Sequence, residues 1–307
     1  MIGVVTSCTG EVAQLPALLQ WSVKRTDFEP CDSFSVQFLC RKTTRKLLEQ
    51  ATEFRGYEAG KIVFTGVIDD FELRLGKEGA LAEITGRGMA ARLMDMQTPA
   101  AEYVSAQLED ILGNYVRSCG ITKIEADTMP AVSNFVVQTG ATCYQALCGF
   151  CRHSAEIFPR FLADGTLVLK RQTPGRQLAL SNALLQAQYV RNRYGVAAKQ
   201  VLINTRDGSC EQAQYEAFAA LGGTRVQYAG RTGDKIRAGF RTAQQRLDDT
   251  KRDERLLYVT YVGSFLAEPL DRVQVPIGAL GIQETLTVQE VQSVCDETGA
   301  TCTLLLR

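Results

Sequence analysis

Short runs of alternating apolar and polar side chains dominate the first third of the chain. Phe34, Val36 and Phe38 are separated by Ser35 and Gln37, the period-two pattern of a strand with one buried face. Ile62-Val63-Phe64-Thr65-Gly66-Val67-Ile68 reads as a second strand, bounded by Gly60 and by Asp69-Asp70. Phe71 to Leu75 alternates again, Gly76-Lys77-Glu78-Gly79 turns the chain, and Leu81 to Gly86 returns it. Short strands joined by turns rich in Gly and charge are antiparallel β grammar. Ile2 to Val5 fits a first strand entering a core. Val5-Thr6-Ser7-Cys8 is only superficially like a lipoprotein cleavage site, because no Lys or Arg precedes it. Segment 41–51 fits either a short helix or a charged loop.

The period changes at Thr98-Pro99. Thr is a good helix N-cap and Pro suits the first helical position. Val104, Leu108, Ile111, Leu112, Tyr115, Val116 and Cys119 then recur at helical spacing until Gly120. A second helix is expected over 142–155, then a hairpin from Ile157–Leu162 to Leu167–Arg171 around Asp164-Gly165. Pro174-Gly175 ends this stretch. Strand patterns resume at 187–193, 199–204, 256–262, 271–275, 286–291 and 300–306, interrupted by a charged helix near 240–253 whose narrow apolar stripe is Phe240, Ala243 and Leu247.

A faint echo links the outer segments. Ile84-Thr85-x-x-Gly88, ending at Asp95, resembles Val259-Thr260-x-x-Gly263, ending at Asp271. The expectation is a mainly β protein with an α+β insert. Two related β-barrel domains, 1–97 and 178–307, flank a small α+β domain at 98–177.

Composition narrows the function classes. The 307 residues carry 34 Lys+Arg and 34 Asp+Glu, and the three segments hold 12 against 13, 7 against 7 and 15 against 14 of them. No segment has the basic excess of a sequence-independent nucleic-acid binder. No apolar run approaches the ~20 residues of a membrane-spanning helix. The single histidine, His153, has no sequence-level partner for a triad. There is no phosphate-binding GxxxxGK loop and no HExxH, and Gly86-Arg87-Gly88 is too short for a dinucleotide fingerprint. Asp69-Asp70 is the one paired carboxylate. Adjacent strand residues point to opposite faces, so a solvated turn is the expectation. No catalytic residue is therefore assigned, and the chain is read as a protein that is not an enzyme.

The ten cysteines offer the one competing chemistry. Cys143, Cys148 and Cys151 have C-x4-C-x2-C spacing, with His153 two residues further on. That pattern supports an alternative reading as a metal- or iron–sulfur-binding redox protein. Against it, three sulfurs on one helix spread around its axis, and no second CxxC supplies a fourth ligand. The expectation is no metal and no cofactor, with the cysteines mostly reduced and buried.

The order of short motifs resembles the baseplate hub proteins of contractile-tailed phages, in the Mu-like and PBSX-like late-control family. Leu19-Gln20-Trp21-Ser22-Val23 followed by Cys31-Asp32-Ser33-Phe34-Ser35-Val36 is similar to the family's opening. Phe64-Thr65-Gly66-Val67-Ile68-Asp69 resembles its F-x-G-x-I/V-D strand. Ile84-Thr85-Gly86-Arg87-Gly88, running to Leu93-Met94-Asp95, resembles its V-x-G-R-x…L-x-D strand. Asp271-Arg272-Val273-Gln274-Val275, Gly281-Ile282 and Leu286 to Val291 resemble its closing segment. The resemblance spans nearly the whole chain, although each motif is short and generic.

It implies a structural homotrimer whose two barrels per subunit form a ring of six, adapting the six-fold tail tube to the three-fold central spike. The implied partners are the tail tube protein, the spike, other baseplate proteins and the tape measure, within a virion baseplate or tail-like injection particle assembled in the host cytoplasm. The chain departs from larger hubs by stopping at Arg307, without an appended spike or lysozyme-like domain, so a hydrolytic role is not expected. A carbohydrate- or peptidoglycan-binding module within a tail is a third, weaker reading.

Overall fold

The computed structural model describes residues 1–27, 31–77, 79–231, 236–237 and 241–307. It is mainly β. In the N-terminal unit β1 (Ile2–Ser7), β2 (Val12–Gln14), β3 (Leu18–Thr26) and β4 (Ser33–Leu39) precede a short helix α1 (Lys42–Leu48). Next come β5 (Ala51–Glu58), β6 (Lys61–Gly76), β7 (Gly79–Gly88) and a single turn α2 (Ala91–Met94). Burial follows the sequence period: Phe34, Val36 and Phe38 point inward from β4, as do Trp21 and Val23 from β3. Phe34 stacks on Phe54 at 4.3 Å between ring centroids, with Phe64 tilted against both, so three aromatics fill the centre of this core. The ambiguous 41–51 segment contains the helix.

The middle unit comprises β8 (Ala101–Ala106), α3 (Leu108–Ile111), β9 (Ile124–Ala126), β10 (Val132–Val137), α4 (Cys143–Ala155), β11 (Arg160–Phe161) and β12 (Leu167–Leu169). Helix α4 forms where expected. Thr142 Oγ1 accepts the Gln145 N–H at 3.1 Å while Gln145 returns the bond to Thr142 N–H at 3.0 Å, a capping box. Cys143, Ala146, Leu147, Phe150 and Cys151 then make one buried stripe. The helix expected from Thr98 is shorter than its spacing suggested. Residues 101–106 pair with β10 as a strand, helical turns begin only at Leu108, and Val104 is 87 % exposed. Thr98 instead bonds through its backbone to Gly140 and Ala141, fastening the approach to α4. Gly120 does end the helical stretch, at φ +78°.

The C-terminal segment contains β13 (Gln177–Leu178), β14 (Leu184–Arg191), β15 (Lys199–Asn204), β16 (Cys210–Gln214), α5 (Glu216–Ala220), β17 (Val226–Arg231) and β18 (Ile236–Arg237). It continues with α6 (Ala243–Lys251), β19 (Arg255–Val262), β20 (Arg272–Ile277), β21 (Ile282–Asp296) and β22 (Gly299–Leu306). The strand read at 199–204 does not join the main sheet. It centres a separate sheet, β16-β15-β17, against which α6 buries Ala243 and Leu247. Phe240, read as part of that helix's stripe, and Glu78 of the first turn lie outside the described residues.

Among the described residues neither of the two expected β-barrel domains closes into a barrel, and the outer segments share one large sheet. Its order is β14-β19-β22-β21-β3-β4-β7-β6-β5-β1-β2, with β20 and β13 branching from β21. The two outer β units share it because β3 pairs antiparallel with β21, from Trp21 opposite Cys295 to Thr26 opposite Glu290. Each unit still curls around its own core, one centred on Phe34, Phe54 and Phe64 and the other on Val259, Val273, Val275 and Leu304. Period-two patterning specifies which face is buried but not which strand lies next to which, so fusion at β3–β21 is invisible to it. No described helix is long and apolar enough to cross a membrane.

Candidate functional site

The polar residues of the sequence motifs meet in space. Arg87 lies between Asp69 and Asp95 and binds both bidentately, at 2.7 and 2.9 Å to Asp69 and 3.0 and 2.8 Å to Asp95. The two carboxylates raise the Arg87 pKa above its ordinary value. Asp69-Asp70 is therefore not a turn. β6 runs continuously through it with a bulge at Ile68/Asp70, and Asp69 is committed to Arg87. A second cluster joins the N-terminal and C-terminal units. Buried Arg25 of β3 pairs with Glu268, lies 3.6 Å from Asp32, and Asp32 accepts the Thr26 N–H at 2.9 Å. Asp271 forms a third cluster with Arg176. These motif residues hold the fold together; none is arranged as a nucleophile and base.

Helix α4 carries the candidate metal residues. Cys143 and Cys151 are buried within the middle core, Cys148 is half-buried, and His153 lies in the last turn. Burial pushes the Cys143 thiol up to about 12 and the Cys148 thiol up to about 11, and raises Cys151 likewise. A soft-metal site needs thiolates, so this apolar setting disfavours the chemistry that the spacing offered. Among the described residues no group of three or more His, Cys, Asp or Glu side chains is placed to hold a metal, and the metal alternative loses its support. All ten cysteines are unpaired, but only Cys143, Cys151 and Cys302 are buried and Cys8 and Cys210 are exposed, fewer buried than expected.

One large concavity was not legible in any local motif. An open cleft of about 810 Å³ separates α4 from α6 and the end of β22. Arg152 reaches it from α4, Arg241, Arg246 and Arg252 from in and around α6, and Arg307 from beyond β22. Among the described residues the only carboxylate in the lining is Asp27, at the end of β3. Arg241 and Arg252 pair with Asp249 behind the wall, and Arg307 lies 3.4 Å from Asp253. Burial and then repulsion from Arg241 pull the Arg152 guanidinium below its ordinary pKa. The residues come from positions spread between 27 and 307, which is why no sequence window reveals them.

Burial pushes the Asp27 carboxyl up to about 6, against the opposing pull of Arg307, Arg252 and Arg160, and its Oδ1 is buried with no hydrogen-bond partner. In the unfolded chain this group titrates near 4. Between about pH 4 and 6 the folded state therefore binds more protons, and the carboxylate costs stability once pH exceeds 6. Asp27→Asn is expected to stabilise by on the order of 1–2 kcal/mol at pH 7.5, raising Tm by a few degrees. The gain should vanish near pH 4. Thermal melts of both chains across this range check the sign; a gain that persists at pH 4, or a loss at pH 7.5, would contradict the assignment.

No protein-family model and no curated protein matches the sequence. Solved structures do match its fold. A tail protein from Neisseria meningitidis MC58 is 18 % identical, with 99 % of this chain and 95 % of that chain covered at a TM-score of 0.77. The 43 kDa tail protein of prophage MuSo2 from Shewanella oneidensis is 14 % identical, with 100 % and 98 % covered at 0.75. A type VI secretion system component from E. coli, described as structurally similar to the T4 bacteriophage tail proteins gp27 and gp5, is 12 % identical, with 94 % and 73 % covered at 0.58. Over its whole length the chain has the fold of phage tail proteins.

Proposed function

We propose that the protein is a structural component of the baseplate in a contractile tail or tail-like injection particle, and that it acts there as the hub. Three copies would close a ring between the six-fold tail tube and the three-fold central spike, each contributing two β units. The observation that carries this reading is the whole-length likeness of fold to the Neisseria and MuSo2 tail proteins. The sheet edges agree with it. β5 covers β6 only as far as Val67, whereas β7 pairs with β6 out to Gly76, so the outer edge of residues 68–76 has no strand beside it among the described residues. Phe71 and Leu75 on this arm are 36 % and 87 % exposed. The terminal strand β14 similarly exposes Leu184, Leu185 and Tyr189. Open edges with exposed apolar side chains favour strand pairing or packing against a neighbour, and cyclic symmetry satisfies them without leaving a free end.

In this reading the tail tube protein and spike lie above and below the ring, other baseplate proteins surround it, and the tape measure reaches its lumen. Residues 98–177 pack outside the ring. The site is the assembled virion or particle, put together in the host cytoplasm, and the role involves no catalysis. Cryo-electron microscopy of the assembled particle tests it. The expected result is three copies of this chain on the tail axis, with six β units facing the first tube ring. Six copies, or a position away from the axis, would reject the hub assignment.

A further inference from the structure

The arginine-lined cleft is unbalanced in charge although the chain as a whole is not. The chain as a whole carries 34 basic and 34 acidic residues. Among the described residues the cleft wall gathers five arginines against one carboxylate, that of Asp27. Asp249 and Asp253 neutralise part of this from behind. Arg152 and Arg246 have no ion-pair partner among the described residues, and the Nε–H of each is buried with no acceptor. Their charge is therefore not neutralised by the described residues, and an incoming carboxylate would be attracted to it.

We propose that this cleft receives a carboxylate-bearing segment of a partner polypeptide, held by Arg152 of α4 and Arg246 of α6. The planar guanidinium fork matches a carboxylate bidentately. Phe158, Pro159 and Leu270 line the same cleft and supply apolar wall for side chains between the acidic ones. A nucleic-acid strand fits less well. Arg152 already covers the Phe158 ring at 5.0 Å, leaving that face closed to a stacking base. Because α4 belongs to the middle unit and α6 to the small sheet inserted between β14 and β19, a bound segment would tie those parts together. The inference rests on the cleft alone and not on the hub reading.

The test uses the full chain and a fluorescein-labelled, end-capped octapeptide, Glu-Ala-Glu-Phe-Glu-Ala-Glu-Gly, followed by anisotropy at about pH 7.5 and about 50 mM salt. Saturable binding that weakens as salt rises is expected. The same peptide with Gln at every Glu should bind at least about tenfold more weakly. Arg152→Gln combined with Arg246→Gln should lose about tenfold in affinity. Asp27→Asn, which removes an opposing charge from the wall, should tighten binding, an outcome that misfolding cannot imitate. Phenylglyoxal labelling read by mass spectrometry should show Arg152 and Arg246 protected by the peptide. The proposal is overturned by an absence of saturable binding, by equal affinity for the Gln peptide, or by affinity unchanged in both variants. It is also overturned if oligothymidylate of similar charge binds more tightly than the peptide.

Discussion

Gly86→Ala is expected to destabilise the protein more than any other single-methyl change in the N-terminal unit. Gly86 sits in β7 between Phe34 of β4 and Ile68 of β6. A Cβ there would lie 2.0 Å from the Val67 carbonyl oxygen and 2.6 Å from Cε1 of Phe34. Neither neighbour can yield cheaply. One is the backbone of a paired central strand, and the other is a ring stacked on Phe54. Gly66 meets the same barrier from β6, with the Arg87 carbonyl oxygen 2.2 Å from its would-be Cβ. The two glycines let β6 and β7 approach closely where the bulge and the Asp69–Arg87 contact bend the pair. The cost is steric and does not depend on glycine's access to positive φ. Overpacking at such a site costs on the order of 3 kcal/mol or more, a fall in Tm of roughly 12–24 °C for a unit of about 100 residues. Gly76→Ala, with nothing within 4 Å of its Cβ position, is the control and should melt within about 1 °C of the unaltered chain. If both variants melt alike, the close approach is not what requires glycine.

Those glycines explain what the motifs mean. In sequence, F-x-G-x-I-D and G-R-G…L-x-D read as loose patterns. In the fold they are two halves of one joint: Gly66 and Gly86 allow contact, and Arg87 fastens Asp69 to Asp95. Strand faces, the α4 helix and the Asp164-Gly165 hairpin were legible because each depends on neighbours a few residues away. The helix expected from Thr98 failed for a related reason. Leu108 to Cys119 truly has helical spacing, but Tyr103 and Ser105 find strand partners in β10, more than 25 residues on, and tertiary pairing overrides the local cap.

Long-range pairings were the illegible part. Nothing local predicts that β3 pairs with β21, or that residues 199–231 leave the main sheet to form their own. The arginine cleft is the extreme case, since its lining is drawn from the end of β3, from α4, from α6 and from Arg307. The three-cysteine pattern misleads in the opposite direction. Its spacing is local and visible, yet helix α4 turns Cys143 and Cys151 into an apolar core where thiols stay protonated. Spacing proposes a ligand set, and burial decides whether the ligands can ionise.

The second large effect is expected at Asp271, whose carboxylate is the anchor of the passage from the middle unit into the second β unit. Asp271 is 3 % exposed. Its Oδ1 accepts the Arg176 N–H at 2.9 Å, and its Oδ2 accepts the Glu268 N–H at 2.9 Å and Arg176 Nη2 at 2.6 Å. Gly175 runs so close that a Cβ there would lie 2.6 Å from Oδ1. The carboxylate thus pins the chain just after Pro174 and sets β13 beside β20, with Gln177 opposite Arg272. Asp271→Ala strands two backbone donors and one guanidinium, a loss on the order of 3–5 kcal/mol. Asp271→Asn keeps an acceptor for one backbone donor while surrendering the charge, so its loss should be roughly half as large. The ranking separates the anchor from simple loss of volume, since Asn and Asp are nearly isosteric. Limited proteolysis gives a second readout, because a freed 172–178 segment should become the first site cut in the Ala variant. Equal stability of the Ala and Asn chains, or unchanged cleavage across this segment, would show that Arg176 and the neighbouring strands hold the passage without Asp271.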